Sequence, residues 1–107
     1  MIEINAFLDE NVSSIKNIIA EFEIDKEFSS HDFIEKFTDK HESDYIEMLV
    51  KYKGSGNSFR TVHSQIALYL SSKKEFLGIY KTQRKESENV RGKIDFVQWW
   101  IRSKASL

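Results

Sequence analysis

The clearest pattern in the chain is an apolar stripe between residues 58 and 72. Its members, at spacings of three and four, are Phe59, Val62, Ile66, Tyr69 and Leu70. Such spacing places side chains on one face of a helix, which Asn57 or Ser58 would cap. The opposite face carries donor and acceptor groups, namely Arg60, Thr61, Ser64, Gln65 and Ser71. We therefore predict a long amphipathic helix with a polar outer face, which is either an ordinary solvated face or a binding surface.

A second apolar repeat, similar to a heptad seam, runs through the first 24 residues. It consists of Leu8, Val12, Ile15, Ile19 and Phe22. A helix with this seam would either pair with a second copy of the chain or cover the core of its own domain. Both uses fit the spacing, and the seam is the candidate dimer interface.

Two shorter helices are predicted between these segments. Ser29 and Asp32 have the spacing of a capping box, which predicts a helix over residues 30–41. Its buried side chains would be Phe33, Ile34 and Phe37. A further helix over residues 43–52 is expected to turn four apolar side chains inward, Tyr45, Ile46, Leu49 and Val50. The glycine-containing segment 54–58 then forms the turn before the long helix.

After residue 74 the pattern changes to alternation. Leu77, Ile79, Lys81 and Gln83 alternate with Gly78, Tyr80, Thr82 and Arg84, which predicts a half-exposed strand. The polar run over residues 83–89 is predicted as a loop tip, since it has nothing to bury. Ile94 and Phe96 are expected on the inner side of a returning strand. The two strands would form a hairpin.

Two adjacent tryptophans, Trp99 and Trp100, lie near the end of the chain. Adjacent side chains point in different directions, so at least one of the two is expected to anchor the hairpin to the core. Because residues 97–102 lack strict alternation, a short terminal helix is the alternative there.

The element order helix, helix, turn, helix, strand, basic loop, strand resembles the winged helix-turn-helix superfamily over residues 29–101. This resemblance implies a mainly α domain with a small β-hairpin (α+β), extended here by an N-terminal helix within residues 1–24. The whole chain, residues 1–107, would be one domain. One feature departs from the pattern. Winged helices commonly place a glycine soon after the recognition helix, whereas Gly78 follows Leu70 by eight residues.

The two halves of the chain carry opposite charge. Residues 51–107 contain twelve basic and four acidic residues (+8), and residues 1–50 contain four lysines and thirteen acids (−9). The formal net charge of −1 therefore hides a strongly polar molecule, and the half with the long helix is expected to meet a polyanion. The candidate DNA-binding residues are Arg60, Thr61, Ser64, Gln65, Lys73, Lys74, Lys81, Arg84, Lys85, Arg91 and Lys93. Arginine and glutamine read guanine and adenine edges in a major groove.

Catalytic, metal and membrane functions find little support in the sequence. There is no cysteine, and the three histidines, His31, His41 and His63, are not spaced as metal ligands. His63 borders the apolar stripe and is predicted to be a packed or capping residue. No enzyme activity and no cofactor are expected. The acidic N-terminus and the lack of a long apolar run predict a cytoplasmic protein.

Three functions agree with these observations. The first is a double-stranded DNA-binding protein, such as a small transcriptional regulator or a replication or partition accessory. The low proline content and the abundance of lysine, isoleucine and asparagine resemble proteins of AT-rich bacteria, their phages and plasmids. The second is a protein-interaction module that uses the acidic half. The third is an accessory domain of a larger nucleic-acid enzyme.

Overall fold

The computed structural model describes residues 3–89 and 91–102, which form six α-helices and one three-stranded antiparallel sheet. Residues 1, 2, 90 and 103–107 of the predicted domain lie outside this described part. The helices are α1 (Ile4–Glu10), α2 (Val12–Ala20), α3 (Ser30–Lys40), α4 (Glu42–Lys51), α5 (Ser58–Ser72) and α6 (Lys74–Leu77), with a 3₁₀ turn over Lys53–Ser55. The strands are β1 (Phe28–Ser29), β2 (Ile79–Glu88) and β3 (Ile94–Arg102), in the sheet order β1-β3-β2. The fold belongs to the mixed α+β class.

The predicted amphipathic helix is α5, and its apolar stripe lies in the core. Val62, Ile66 and Leu70 are fully buried, Tyr69 is 4% exposed, and Phe59 is half-buried. Asn57 occupies the N-cap position, although its side chain makes no capping hydrogen bond. The helix packs against α1 and α4. This leaves the side of α5 that faces neither helix free to form a surface.

The N-terminal seam packs into the same core. The predicted first helix is divided at Asn11 into α1 and α2, and the Asn11 side chain donates to the Phe7 carbonyl. Three seam residues, Leu8, Ile15 and Ile19, are at most 2% exposed, and Val12 and Phe22 pack against the core from its edge. The seam is thus an internal packing face of this chain. A two-fold interface would have to use other residues.

The helix α4 turns a different face inward from the one predicted. Ile46 and Val50 are 52% and 53% exposed, whereas Met48 is fully buried. Tyr45 and Leu49 are partly buried against the core, as expected. The prediction for Ile46 and Val50 was wrong because the position of α5, rather than the apolar residues of α4 alone, decides which face is covered.

The short helix α6 explains the distance between Leu70 and Gly78. Gly78 follows the last residue of α6 and has a left-handed backbone with φ of 72°, a conformation that glycine adopts without steric cost. It therefore ends α6 rather than the long helix, and β2 begins at the next residue.

The hairpin is longer than predicted. The strand β2 continues to Glu88, so most of the predicted loop tip is strand, and the described residues of the turn are 89 and 91–93. The Asn89 side-chain oxygen organises this turn by accepting from the backbone N–H groups of Arg91 and Lys93. The prediction of a loop was wrong because it rested on polarity alone. Most side chains of this run are exposed although they belong to a strand, and exposed strand positions also suit polar residues. The alternative of a terminal helix is also wrong, since β3 extends through Arg102.

Two side chains of β3 are more exposed than predicted. Ile94 and Phe96 are 59% and 61% exposed, so the expectation that they face inward was wrong. Alternation places residues on one face of a strand but does not say whether anything covers that face. None of the described helices covers these two side chains.

A two-residue strand attaches the hairpin to the helices. Phe28 pairs with Trp100 and Ser29 pairs with Trp99. Trp100 is fully buried, and its indole N–H donates to the Ser30 hydroxyl at 3.0 Å. Trp100 is therefore the predicted anchor, and Trp99 is half-buried.

The junction between β1 and α3 fixes the start of that helix. The predicted capping box is present, since Ser29 accepts from the Asp32 N–H and Asp32 accepts from the Ser29 N–H. The Ser87 hydroxyl of β2 also donates to the Ser29 hydroxyl at 2.7 Å. Ser29 thereby connects the first turn of α3 to the hairpin.

The burial of the seam predicts how much stability is lost when a seam side chain of α2 is shortened. Ile15→Ala should lower the free energy of unfolding by about 2–5 kcal/mol, because it leaves a cavity in the core. Asn17→Ala, on the exposed side of the same helix, should change it by no more than about 0.5 kcal/mol. Urea unfolding followed by circular dichroism measures both. If Ile15→Glu instead gave a stable monomer from a dimeric wild type, the internal packing of the seam would be contradicted.

Candidate nucleic-acid interface

A groove of about 740 Å³ opens between α5 and the β2–β3 hairpin. One wall is a stripe of α5 that includes Arg60, Ser64 and Leu68, and the other wall includes Arg84 and Phe96. Ligand-binding clefts of proteins commonly enclose about 300–1,000 Å³. The groove is therefore large enough to hold part of a ligand rather than a single ion.

Five cationic side chains line this groove: Arg60, Lys81, Arg84, Arg91 and Lys93. All five are exposed. None of them forms an ion pair with a carboxylate of residues 3–89 or 91–102. Asp95 is the single acid among the described lining residues. Uncompensated charge of one sign in a cleft attracts ligands of the opposite sign.

The structure brings together six of the eleven predicted DNA-binding residues. They are Arg60, Ser64, Lys81, Arg84, Arg91 and Lys93. Thr61, Gln65, Lys73, Lys74 and Lys85 do not line the groove. The Gln65 amide instead donates to the Tyr52 hydroxyl at 2.9 Å, so the side of α5 next to α4 is occupied.

Two of the remaining lysines are paired with acids of the N-terminal half. The Lys73 ammonium lies 4.0 Å from the Asp9 carboxylate, and the Lys85 ammonium lies 3.4 Å from the Glu27 carboxylate. The Thr82 hydroxyl, followed by Gln83 and Lys85, holds the pKa of Glu27 below its usual value. The acidic and basic halves thus meet within one chain, and this contact leaves the five cations of the groove unpaired.

Two arginines of the groove lie over phenylalanine rings. The Arg91 guanidinium is 3.8 Å from the centre of the Phe59 ring, and the Arg84 guanidinium is 5.9 Å from the centre of the Phe96 ring. Phe59 also contacts the His63 ring, with the ring centres 3.9 Å apart. The groove therefore combines positive charge with aromatic surface.

Two buried histidines, His31 and His63, contribute to the lining of the groove. His31 Nε2 lies 3.4 Å from the Asp95 carboxylate, but this contact lacks hydrogen-bond geometry, and neither ring nitrogen of His31 has a hydrogen-bond partner among the described residues. Asp95 accepts instead from the Asn89 side-chain amide at 3.0 Å. Sequence reasoning missed His31 and Asp95, because only the β1–β3 pairing brings them together.

His63 is a packed residue, as predicted from its place beside the apolar stripe. Its Nε2 lies 2.7 Å from the Tyr45 hydroxyl. Burial, and then the nearby charges of His31 and Arg91, lower the pKa of His63 from 6.5 to about 4. The ring is therefore neutral at pH 7 and adds no charge to the groove.

Metal-binding clusters and membrane-spanning helices are absent from the described part of the chain. Within residues 3–89 and 91–102, no three histidine, aspartate or glutamate side chains are placed to hold a metal ion. In the same residues, no helix has both the length and the apolar character that crossing a bilayer requires.

Comparisons with protein families, with curated proteins and with solved structures found no match for this chain.

The lowered pKa of His63 predicts how stability depends on pH. Because the folded protein binds this proton less readily than the unfolded chain, the stabilisation is complete above pH 6.5 and is lost as the pH falls towards 4. A change of about 2.5 pKa units, at about 1.4 kcal/mol per unit, corresponds to a total loss on the order of 3 kcal/mol, of which about 2 kcal/mol falls between pH 7 and pH 5. Urea unfolding at pH 7 and pH 5 should show this slope in the wild type and a smaller one in His63→Phe. Equal slopes in the two proteins would contradict the assignment.

Proposed function

We propose that this chain is a non-enzymatic DNA-binding protein that holds duplex DNA along the groove between α5 and the hairpin. The proposal is carried by the convergence of five cations on one groove, where they have no ion pair among the described residues and only one described acid beside them. Phosphate groups neutralised by such side chains supply most of the sequence-independent affinity for DNA. The acidic net charge does not oppose this function, because the acids belong largely to the other half of the chain.

The arrangement of elements supports a winged helix-turn-helix. The helix α5 would be the recognition helix, α4 would precede it across the glycine-containing turn, and the hairpin would be the wing. The exposed stripe of α5 that borders the groove carries Arg60 and Ser64, whose side chains can read base edges. Lys81, Arg84, Arg91 and Lys93 would contact phosphates and set the orientation of the protein.

A small cytoplasmic regulator, or a replication or partition accessory of a bacterium, phage or plasmid, would use such a surface. Pairing of two copies on adjacent half-sites would raise its specificity. The buried seam of α1 and α2 does not supply the interface for that pairing.

A protein partner is the second candidate, and the outer face of α4 favours it. Ile46 and Val50 are more than half exposed on this helix, which also carries Glu42, Asp44 and Glu47. Exposed apolar side chains among charges are typical of surfaces that contact proteins. This face is separate from the groove, so both functions can coexist.

The salt dependence of binding tests the role of the cations. If Lys81, Arg84, Arg91 and Lys93 meet phosphates, the logarithm of the affinity for labelled duplex DNA should fall against the logarithm of the salt concentration with a slope of roughly −4. Lys81→Ala or Lys93→Ala should make the slope shallower by about 1. Lys53→Ala removes the same charge outside the groove and should leave the slope unchanged. Absence of duplex binding at low salt and micromolar protein would refute the proposal.

Sequence readout is expected from α5 rather than from the hairpin. On a preferred site selected from random duplexes, Arg60→Ala should weaken binding by about 1–3 kcal/mol and reduce discrimination between sequences. Lys93→Ala should weaken binding to all sequences alike. Fluorescence anisotropy with the selected and a scrambled duplex measures both effects. Equal losses of Arg60→Ala on the two duplexes would show that α5 only positions the protein.

A further inference from the structure

The groove contains exposed apolar surface that duplex DNA does not use. Leu68 on the α5 wall is 67% exposed, and Phe96 on the hairpin wall is 61% exposed. A duplex presents phosphates, sugars and base edges, while the faces of its bases are stacked inside. In proteins that bind single strands, aromatic side chains in a cationic groove stack on unpaired bases.

Phe96 has the features of an open stacking platform. The Arg84 guanidinium lies over this ring at 5.9 Å from its centre, and it also donates to the Phe96 carbonyl at 3.1 Å, which holds the guanidinium near the aromatic surface. Within the described part of the chain, no other aromatic ring stacks on Phe96. Both a phenyl ring and a guanidinium plane can stack on nucleobases.

The other phenylalanine that lines the groove, Phe59, is less accessible than Phe96. Arg91 lies over its ring at 3.8 Å, and His63 contacts it with the ring centres 3.9 Å apart. Two side chains of the chain therefore already contact this ring, which is half-buried. The free aromatic surface of the groove is therefore that of Phe96.

We propose that the groove takes an unpaired nucleotide of DNA, with its base against Phe96 and Leu68 and its phosphates at the surrounding cations. A duplex with a single-stranded overhang would then be the preferred ligand over a blunt duplex. Glu86 is the cross-strand partner of Phe96, so the phosphates would lie on the α5 side, away from this carboxylate. This inference rests on the proposed DNA-binding function and specifies which form of DNA the groove prefers.

Three labelled probes test the proposal by fluorescence anisotropy on the full chain at fixed salt. They are a blunt duplex, the same duplex with a thymidine overhang, and the same duplex with an overhang of abasic sites. The abasic overhang keeps the phosphates and removes only the bases. The thymidine overhang should increase affinity about tenfold over the blunt duplex, which is within the range expected for stacking one base. The abasic overhang should lose most of this gain.

Substitutions test whether Phe96 causes the higher affinity for the thymidine overhang. Phe96→Ala should bring the ratio of the affinities for the thymidine-overhang and blunt probes, both measured on that variant, down to about one, and Phe96→Tyr should keep the ratio of the wild type. Phe76→Ala removes another exposed phenylalanine, 59% exposed and outside the groove, and should change neither affinity. Far-ultraviolet circular dichroism confirms that each variant is folded.

Specific outcomes would overturn the inference. They are equal affinities for the blunt and thymidine probes, equal affinities for the thymidine and abasic probes, or a Phe96→Ala variant that keeps the full gain. Each of these leaves the proposed duplex binding intact. Binding of none of the three probes at low salt would overturn the inference and the proposed function together.

Discussion

The junction between β1 and β3 is the constraint on which the groove depends. Its two walls are attached to the body of the protein in different ways, since α5 packs on α1 and α4, whereas the hairpin is held through β1 and α3. The buried Trp100 ring and its hydrogen bond to Ser30 join these attachments. A buried indole that loses its partner costs free energy, because a desolvated donor is left unpaired. The position of the cations on the hairpin relative to those on α5 thus depends on a few residues that carry no charge, among them Trp100 and Ser30 at the base of the groove.

The opposite charges of the two halves have two effects: they form ion pairs where the halves touch, and they shape the electrostatic potential of the basic half. Where the halves touch, acids such as Asp9 and Glu27 meet lysines outside the groove. Exposed pairs of this kind contribute little stability, typically less than about 1 kcal/mol each. Their more important effect is on the distribution of potential, because they neutralise lysines at the border of the basic half, whereas the five cations of the groove have no ion pair among the described residues.

Local patterns in the sequence predict much of this structure. The predictions that failed have one physical cause, because they concern features that depend on contacts between distant parts of the chain. The stripe of α5 and the capping box of Ser29 and Asp32 depend on neighbours within one or two helical turns, so sequence spacing reveals them. The strand β1 has two residues and no pattern of its own, and it exists only through pairing with a distant strand. The exposure of Ile46 and Phe96, and the meeting of His31 with Asp95, likewise depend on what the rest of the chain covers. Six of the eleven predicted binding residues line one groove, and the charge count along the sequence had already pointed to the half of the chain that contains them.

The lack of ion pairs to the five groove cations among the described residues has a consequence for how the protein can evolve. Because none of the five is tied to a carboxylate of the described chain, replacing one removes no ion pair, and exposed substitutions of this kind usually alter stability by no more than about 0.5 kcal/mol. Mutations can therefore change what the groove binds while the fold persists. Related chains could diverge in ligand preference at these positions and keep Trp100, Ser30 and the apolar stripe of α5 unchanged.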